Sequence, residues 1–244
     1  MTVDSNKPSV GLFVTCLIDL LRPKVAFATT RLLEAAGCDV HVPECQTCCG
    51  QPGYNGGDQK SAVKIARKVI EAFEPFDYVV APSGSCIGMI RCHYSGLFNE
   101  DDQWQDRAEK LAAKSYELTA FLVDVRKMKM PKQAERQSIV MHDSCSALRE
   151  LGIHGQPRRL LNLKDLDDGQ KCCGFGGLFS VKYDEISAHL ADKKIAAVTE
   201  TGADTLTSCD YGCLVHLKGR IDRKGIDIKV HHIAELLAEQ LDGT

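Results

Sequence analysis

The sequence has no apolar run close to the roughly 20 consecutive residues that a membrane-spanning helix needs. Its most apolar N-terminal segment, residues 10–21, contains Asp19 and runs directly into Arg22 and Pro23. It also lacks a small-residue cleavage site, so we expect no secretory signal. The net charge is only −3 over 244 residues, which gives no indication of a nucleic-acid partner. These absences favour a cytoplasmic protein.

Several common catalytic motifs are missing as well. The sequence contains no Gly-x-x-x-x-Gly-Lys phosphate loop and no Gly-x-Gly-x-x-Gly dinucleotide fingerprint. It also lacks the Gly-x-Ser-x-Gly turn of serine hydrolases and the His-Glu-x-x-His motif of zinc proteases. Chemistry that depends on these motifs is therefore not expected.

Cysteine is the residue type that the sequence has in excess, with 12 in the chain. In a small secreted protein, such a number would predict a disulfide framework. This chain is not small and carries no expected secretory signal. In a reducing compartment, clustered thiols are more typical of metal ligands or redox groups.

Eight of the cysteines form a repeat of four. The gaps between successive cysteines are 31, zero and 36 residues in the first half, and 26, zero and 39 in the second. The first set is Cys16, Cys48, Cys49 and Cys86, and the second set is Cys145, Cys172, Cys173 and Cys213. A polar, basic segment with Pro131 separates the two sets, so we predict domains at residues 1–130 and 131–244.

Short apolar runs alternate with amphipathic segments in both halves. The runs predict strands at residues 10–14, 38–42, 77–81, 138–142 and 203–207. The amphipathic segments predict helices at residues 23–36, 58–73, 118–125, 185–200 and 233–241. This order predicts an α/β fold of two pseudo-repeated βαβ-type halves with parallel sheets. The cysteine loops should then lie at the carboxyl ends of strands, near the interface of the halves.

Four thiolates that converge on one volume can hold a [4Fe–4S] cluster. The side chains of adjacent cysteines diverge, so a vicinal pair suits two irons of one cluster, and the glycine that follows each pair allows a turn. We therefore predict all eight repeated cysteines as metal ligands, for one or two [4Fe–4S] clusters per chain. Gly174, Gly176 and Gly177 are predicted to support the cofactor with backbone N–H groups.

The other cysteines have less certain roles. Cys38 opens a predicted strand and is expected in the core. Cys92 follows Cys86 in a predicted helix and is expected in the core rather than at a metal. Cys209 is either an additional ligand or a core residue. Cys45 begins a Cys-x-x-Cys that is typical of redox pairs, but a polar turn rather than a helix is expected after it, which disfavours that use.

Three histidines of the second half have an expected role or location. His142 follows a predicted strand near the second set of cysteines. It is either a hydrogen-bonded core residue or a group that tunes a cluster or moves a proton. His231 and His232 are expected to begin the last helix and to face solvent or a neighbour.

Two motifs carry a family resemblance. The segment from Cys172 to Tyr183 reads Cys-Cys-Gly-Phe-Gly-Gly-Leu-Phe-Ser-Val-Lys-Tyr, and Cys48 begins Cys-Cys-Gly-Gln-Pro. With Gly212-Cys213-Leu214, they resemble the CCG, or cysteine-rich, domain family over nearly the whole chain. Proteins with two copies include the cysteine-rich subunit of heterodisulfide reductase and the iron–sulfur subunit of glycolate oxidase. The resemblance is strongest to the lactate-utilisation protein A group.

The resemblance implies an electron-transfer subunit of an oxidoreductase complex that converts L-lactate to pyruvate. A ferredoxin-like iron–sulfur subunit and other subunits would be its partners, and no catalytic residue is assigned in this chain. In one respect the sequence departs from the family, whose motif ends in Cys-x-x-Cys. Ser83 and Asp210 stand three residues before Cys86 and Cys213. Four cysteines per half suit a [4Fe–4S] cluster better than a larger non-cubane one.

Two alternatives remain open from the residues alone. A structural zinc protein would use pairs such as Cys45 with Cys48, or Cys209 with Cys213, but vicinal cysteines do not suit tetrahedral zinc. A thiol–disulfide oxidoreductase would use Cys45 and Cys48 or a vicinal pair.

Overall fold

The computed structural model describes residues 7–131, 138–167 and 170–242, which contain two separate parallel β-sheets. The chain forms two compact units. The first consists of Met1–Pro82 and Cys86–Met128, and the second of Ser83–Ser85 and Lys129–Thr244. The predicted boundary after residue 130 is not tested independently and stays a prediction.

The first unit contains a four-stranded sheet in the order β2-β1-β3-β4, with every pair parallel. Its strands are β1 (Ser9–Leu12), β2 (Asp39–His41), β3 (Tyr78–Ala81) and β4 (Ser115–Glu117). β1 and β3 are the two central strands, and both are almost completely buried, as expected for a parallel sheet that is covered on both faces.

Helices connect these strands. They are α1 (Cys16–Leu21), α2 (Lys24–Ala35), α3 (Gln51–Asn55), α4 (Gln59–Phe73), α5 (Gly84–Gly88), α6 (Asp102–Ala113) and α7 (Leu118–Ala120). α4 shows how the sequence produces such a helix. Asp58 caps it by accepting a hydrogen bond from the Ser61 backbone N–H at 3.0 Å. Its buried residues recur at helical spacing and form one apolar face: Ala62, Ala66, Val69, Ile70 and Phe73.

The second unit contains a three-stranded parallel sheet in the order β5-β6-β7. Its strands are β5 (Ile139–Met141), β6 (Thr205–Ser208) and β7 (Lys229–His232). Its helices are α8 (Gly155–Leu160), α9 (Leu178–Lys182), α10 (Asp184–Glu200), α11 (Tyr211–Lys224) and α12 (Ile233–Asp242). α10 and α11 supply most of the apolar residues that pack against β5 and β6.

The predicted α/β class with parallel sheets is confirmed. All five predicted strands are present, whereas β4 and β7 were not predicted because their residues are mostly polar or half-exposed. The segment after β4 is only partly α-helical, since α7 continues as a π-helical turn over Phe121–Val125.

The prediction for His231 and His232 is wrong. They end β7, and the His232 side chain is completely buried.

No helix in the described ranges of the chain is both long and apolar enough to cross a membrane.

Candidate metal centres

The repeated cysteines follow strands in the same way in both units. Cys16 is the first residue of α1, after β1, and Cys145 lies four residues after the end of β5. Cys86 lies in α5, which follows β3, and Cys213 lies in the first turn of α11, which follows β6. Within each unit, parallel strands bring these positions to one edge of the sheet, where sites form in this architecture.

The four thiols of the first half form one continuous series of hydrogen bonds. Cys16 is hydrogen-bonded to Cys48, Cys48 to Cys49, and Cys49 to Cys86. Cys49 and Cys86 are buried, Cys48 is half-buried, and Cys16 is exposed. The structure therefore brings together all four residues that the sequence predicted for this half.

The second half repeats this series in the same order. Cys145 is hydrogen-bonded to Cys172, Cys172 to Cys173, and Cys173 to Cys213. Cys173 is buried, and the other three are half-buried. A vicinal pair thus stands at the middle of each series, with one single cysteine at each end.

One thiol in each series is poised to ionise. Hydrogen bonds from Cys16 and Cys49 hold the pKa of Cys48 far below its usual range. Hydrogen bonds from Cys145 and Cys173 do the same for the pKa of Cys172. The thiolate is the form of cysteine that binds metal ions, so each series presents one ready ligand flanked by thiols.

The glycine of each Cys-Cys-Gly motif turns the backbone toward sulfur. Gly50 and Gly174 have φ values of +84° and +92°, which glycine adopts without the penalty that a side chain brings. Their N–H groups donate to the sulfurs of Cys48 and Cys172 at 3.4 and 3.3 Å. A Cβ atom on Gly174 would lie 2.6 Å from the Ser187 backbone oxygen, so this position has no room for a side chain.

The glycines that follow continue this loop. Gly176 and Gly177 also have positive φ values, and Gly177 immediately precedes α9. The Phe175 N–H, between them and Gly174, donates to the Cys173 sulfur at 3.5 Å. The assignment of Gly174, Gly176 and Gly177 as cofactor supports stays a prediction.

Buried side chains outside the motifs hold both loops. In the first half, the Tyr94 hydroxyl donates to the Cys49 carbonyl oxygen at 2.8 Å. In the second half, the Ser187 hydroxyl donates to the Gly174 carbonyl oxygen at 2.8 Å and lies 3.2 Å from the His216 ring. Sequence reasoning missed these residues because no local pattern links them to the cysteines.

Asp210, at the position where the family motif has a cysteine, is a fully buried acceptor. Its carboxylate accepts hydrogen bonds from the Ser83 hydroxyl at 3.0 Å and the Ser144 hydroxyl at 2.7 Å. It also accepts from the backbone N–H and hydroxyl of Ser85 at 2.9 and 2.6 Å. Burial raises the pKa of Asp210, and these hydrogen bonds partly offset the rise. The residue that departs from the family motif therefore joins three chain segments of the second unit.

We expect Asp210→Ala to lower the free energy of unfolding of the metal-free protein by about 3 kcal/mol, because it leaves several buried donors without an acceptor. Urea unfolding followed by circular dichroism measures this loss. Asp222→Ala is the matched control, since Asp222 pairs with Lys218 on an exposed face and its loss should cost about 0.5 kcal/mol. Equal losses for the two variants would contradict the role given to Asp210.

The remaining cysteines lie in different environments. Cys38 is buried, as predicted, and burial raises its pKa. Cys209 is only 1% exposed, which favours the core alternative. The core prediction for Cys92 is wrong, since this residue is exposed on the π-helical turn Met89–His93. Cys45 is exposed, and the turn expected after its motif is in fact the start of α3, directly after Gly50.

His142 has an unusual environment. It is completely buried, and neither ring nitrogen has a hydrogen-bond partner among the residues that the structure describes, so the interpretation as a hydrogen-bonded core residue is wrong. Burial, and then the charge of Lys194, lower its pKa to about 3. The imidazole is therefore neutral. One of its nitrogens and the sulfurs of Cys173 and Cys213 lie within 4.8 Å of one another.

This donor set fits a soft metal ion or an iron–sulfur cluster. Thiolates are the ligands that such centres select, and backbone N–H groups directed at sulfur are typical of their surroundings. The ring nitrogens of His142 are buried without a hydrogen-bond partner in the described part of the chain. A metal ion bound beside the second series could serve as the partner of one of them.

The chain belongs to the CCG, or cysteine-rich, domain family, whose sequence profile matches residues 10–91 and residues 139–218. The two matches coincide with the two thiol series. Among curated proteins, the chain is similar to lactate utilization protein A from several bacteria, which confirms the predicted resemblance. That of Halalkalibacterium halodurans is 46% identical over 237 residues, which cover 95% of this chain and 97% of that protein. Those of Bacillus subtilis and Geobacillus kaustophilus are 45% and 47% identical over 234 residues, which cover 93% of this chain and 98% of each relative.

Proposed function

We propose that this chain is an iron–sulfur electron-transfer subunit of a lactate-utilisation system. The observation that carries the proposal is the pair of equivalent thiol series, each with a vicinal pair at its centre and a glycine N–H directed at sulfur. A structural metal site needs only one such set. Two equivalent sets allow one chain to hold two redox centres.

In this proposal, each series holds one [4Fe–4S] cluster. The ligands are Cys16, Cys48, Cys49 and Cys86 in the first half, and Cys145, Cys172, Cys173 and Cys213 in the second. When bound, such a cluster accepts and releases single electrons. The N–H groups of Gly50, Gly174 and Phe175 donate to ligand sulfurs, which raises the reduction potential of a bound cluster. Burial of Cys49 and Cys173 keeps water from the inner side of each series.

The substrate part of the proposal rests on the relatives. Their name, lactate utilization protein A, together with their similarity over most of the chain, supports a role in lactate utilisation. We propose that the reaction served is the oxidation of L-lactate to pyruvate and that the carbon chemistry takes place on a partner. The partners would be a ferredoxin-like iron–sulfur subunit and other subunits of a cytoplasmic complex. No residue of this chain is assigned a catalytic role.

The first test is composition. Protein purified without oxygen should contain about eight irons and eight sulfides per chain and little zinc. After reduction by dithionite, it should give an EPR signal. Iron-free protein that also resists reconstitution with iron and sulfide would contradict the proposal. Stoichiometric zinc in place of iron would favour a structural zinc protein, and turnover of a disulfide substrate by metal-free protein would favour a dithiol oxidoreductase.

The lactate role has its own test. In a Bacillus subtilis strain from which the relative named lactate utilization protein A has been deleted, this chain should restore growth on L-lactate to the extent that the deletion impairs it. The Cys49→Ala, Cys173→Ala double variant is the control and should restore none. Failure of the unaltered chain to restore growth would contradict the lactate role without contradicting the metal centres. Equal restoration by the unaltered chain and by the double variant would show that this role does not need the metal centres.

A further inference from the structure

Phe13 and His142 occupy the same position in the two halves. Each is the first residue after its strand, β1 or β5, and each stands three residues before the first repeated cysteine. The Phe13 N–H donates to the Val80 carbonyl oxygen in β3 at 2.8 Å, and the His142 N–H donates to the Thr207 carbonyl oxygen in β6 at the same distance. The preceding residues are paired in the same register, since Leu12 pairs with Val80 as Met141 does with Thr207.

The two side chains differ in how their surroundings accommodate them. Both are completely buried. The Phe13 ring packs edge-to-face against Phe73, with ring centroids 5.4 Å apart, so an apolar group fills an apolar site. The His142 ring carries two polar nitrogens, and neither has a hydrogen-bond partner in the described part of the chain. A buried polar group without a partner lowers stability by about 1–3 kcal/mol, so its presence needs a reason.

The thiol series of the second half supplies that reason. A ring nitrogen of His142 and the sulfurs of Cys173 and Cys213 all lie within 4.8 Å of one another, and a nitrogen and two sulfurs at this spacing can share a metal ion. Neutral imidazole is a common ligand of iron and zinc. At the matching position of the first half, Phe13 offers no donor atom.

We propose that a ring nitrogen of His142 is a ligand of the metal centre in the second half, together with Cys173 and Cys213 and in place of one of the other two cysteines of that series, Cys145 or Cys172. The two centres of the chain are therefore unequal. This inference rests on the proposed function, because it requires a metal centre at the second thiol series. Histidine in place of cysteine at an iron–sulfur cluster raises the reduction potential. The second centre is then the better electron acceptor of the two.

Pulsed EPR of the reduced, iron-loaded protein tests the ligand directly. A strongly coupled ¹⁴N signal is expected, and it should change to a ¹⁵N signal when the protein is grown with ¹⁵N-histidine. In His142→Phe, which reproduces the residue of the first half, the coupling should disappear and the higher of the two reduction potentials should fall. His189→Gln, which changes an exposed histidine of α10, is the control and should retain the signal.

The outcomes separate this inference from the proposed function. Full iron content without strongly coupled nitrogen, or a nitrogen signal that persists in His142→Phe, would overturn the ligand assignment and leave the iron–sulfur function intact. If the chain binds no iron, the proposed function fails, and cobalt(II) added to the metal-free protein tests the ligand instead. A cobalt absorption spectrum that differs between wild type and His142→Phe supports the assignment, and identical spectra overturn it.

Discussion

Replacement of Cys173 by alanine is expected to halve the iron content of the protein, from about eight irons per chain to about four. Cys173 is 2% exposed and is hydrogen-bonded to both Cys172 and Cys213, so its loss breaks the second thiol series at its centre. Iron and sulfide analysis, together with the visible absorption spectrum of protein purified without oxygen, measures the effect.

Two further variants make this result specific. Cys49→Ala breaks the first series at the equivalent position and should also leave about four irons, whereas the double variant should contain none. Cys38→Ala removes a thiol that is buried to a similar degree but lies outside both series, and it should retain all of the iron. If Cys173→Ala leaves the iron content and the visible spectrum unchanged, the ligand assignment of the second half is wrong.

Gly174→Ala should destabilise the second unit by about 3 kcal/mol or more and should reduce its iron content. Two effects add at this position. The φ value of +92° strains any residue with a side chain, and the new Cβ atom would lie 2.6 Å from the Ser187 backbone oxygen in α10. Since the Gly174 N–H donates to the Cys172 sulfur, movement of this turn also displaces a predicted ligand.

The control for this variant is Gly225→Ala. Gly225 ends α11 in the left-handed region, at φ 64° and ψ 30°, and a Cβ atom there would meet nothing within 4 Å. Its substitution should cost only the backbone strain, about 1 kcal/mol, and leave the iron content unchanged. Urea unfolding and iron analysis of both variants give the comparison. Similar losses of stability and iron in the two would show that the close contact with Ser187 is unimportant.

The fold was predictable from sequence where periodicity and burial coincide. β1, β3 and β5 are mostly apolar and buried because parallel strands are covered on both faces, and α4 shows its apolar face at helical spacing. β6 is equally buried, although three of its four residues are Thr or Ser. β4 and β7 lack this signal. Ser115–Glu117 is polar although it is mostly buried, and Lys229–His232 is largely half-exposed. Both segments are strands because they pair with a neighbouring strand, and their composition alone does not indicate this.

The candidate site was predictable to the extent that it is repeated. The order of the four cysteines in each half was sufficient to group them, and the structure brings both groups together. The buried supports were not predictable, because Tyr94 and Ser187 contact the Cys-Cys-Gly loops from 45 and 13 residues along the chain, outside any local motif. For His142 the sequence left two interpretations open, and only its burial and its unpartnered nitrogens distinguish them.

The crossover connections of the two sheets have a consequence for maturation. In the first half, 31 and 36 residues separate the two single cysteines from the vicinal pair, and in the second half the numbers are 26 and 39. Each of these four segments contains at least one helix. Closure of loops this long has an entropic cost that a metal ion must overcome unless the sheet has already formed. In small zinc domains, by contrast, metal binding itself drives folding. We therefore expect each half to assemble its slow, non-local strand pairs first and to receive its metal afterwards, so that the apoprotein is the acceptor in cluster delivery.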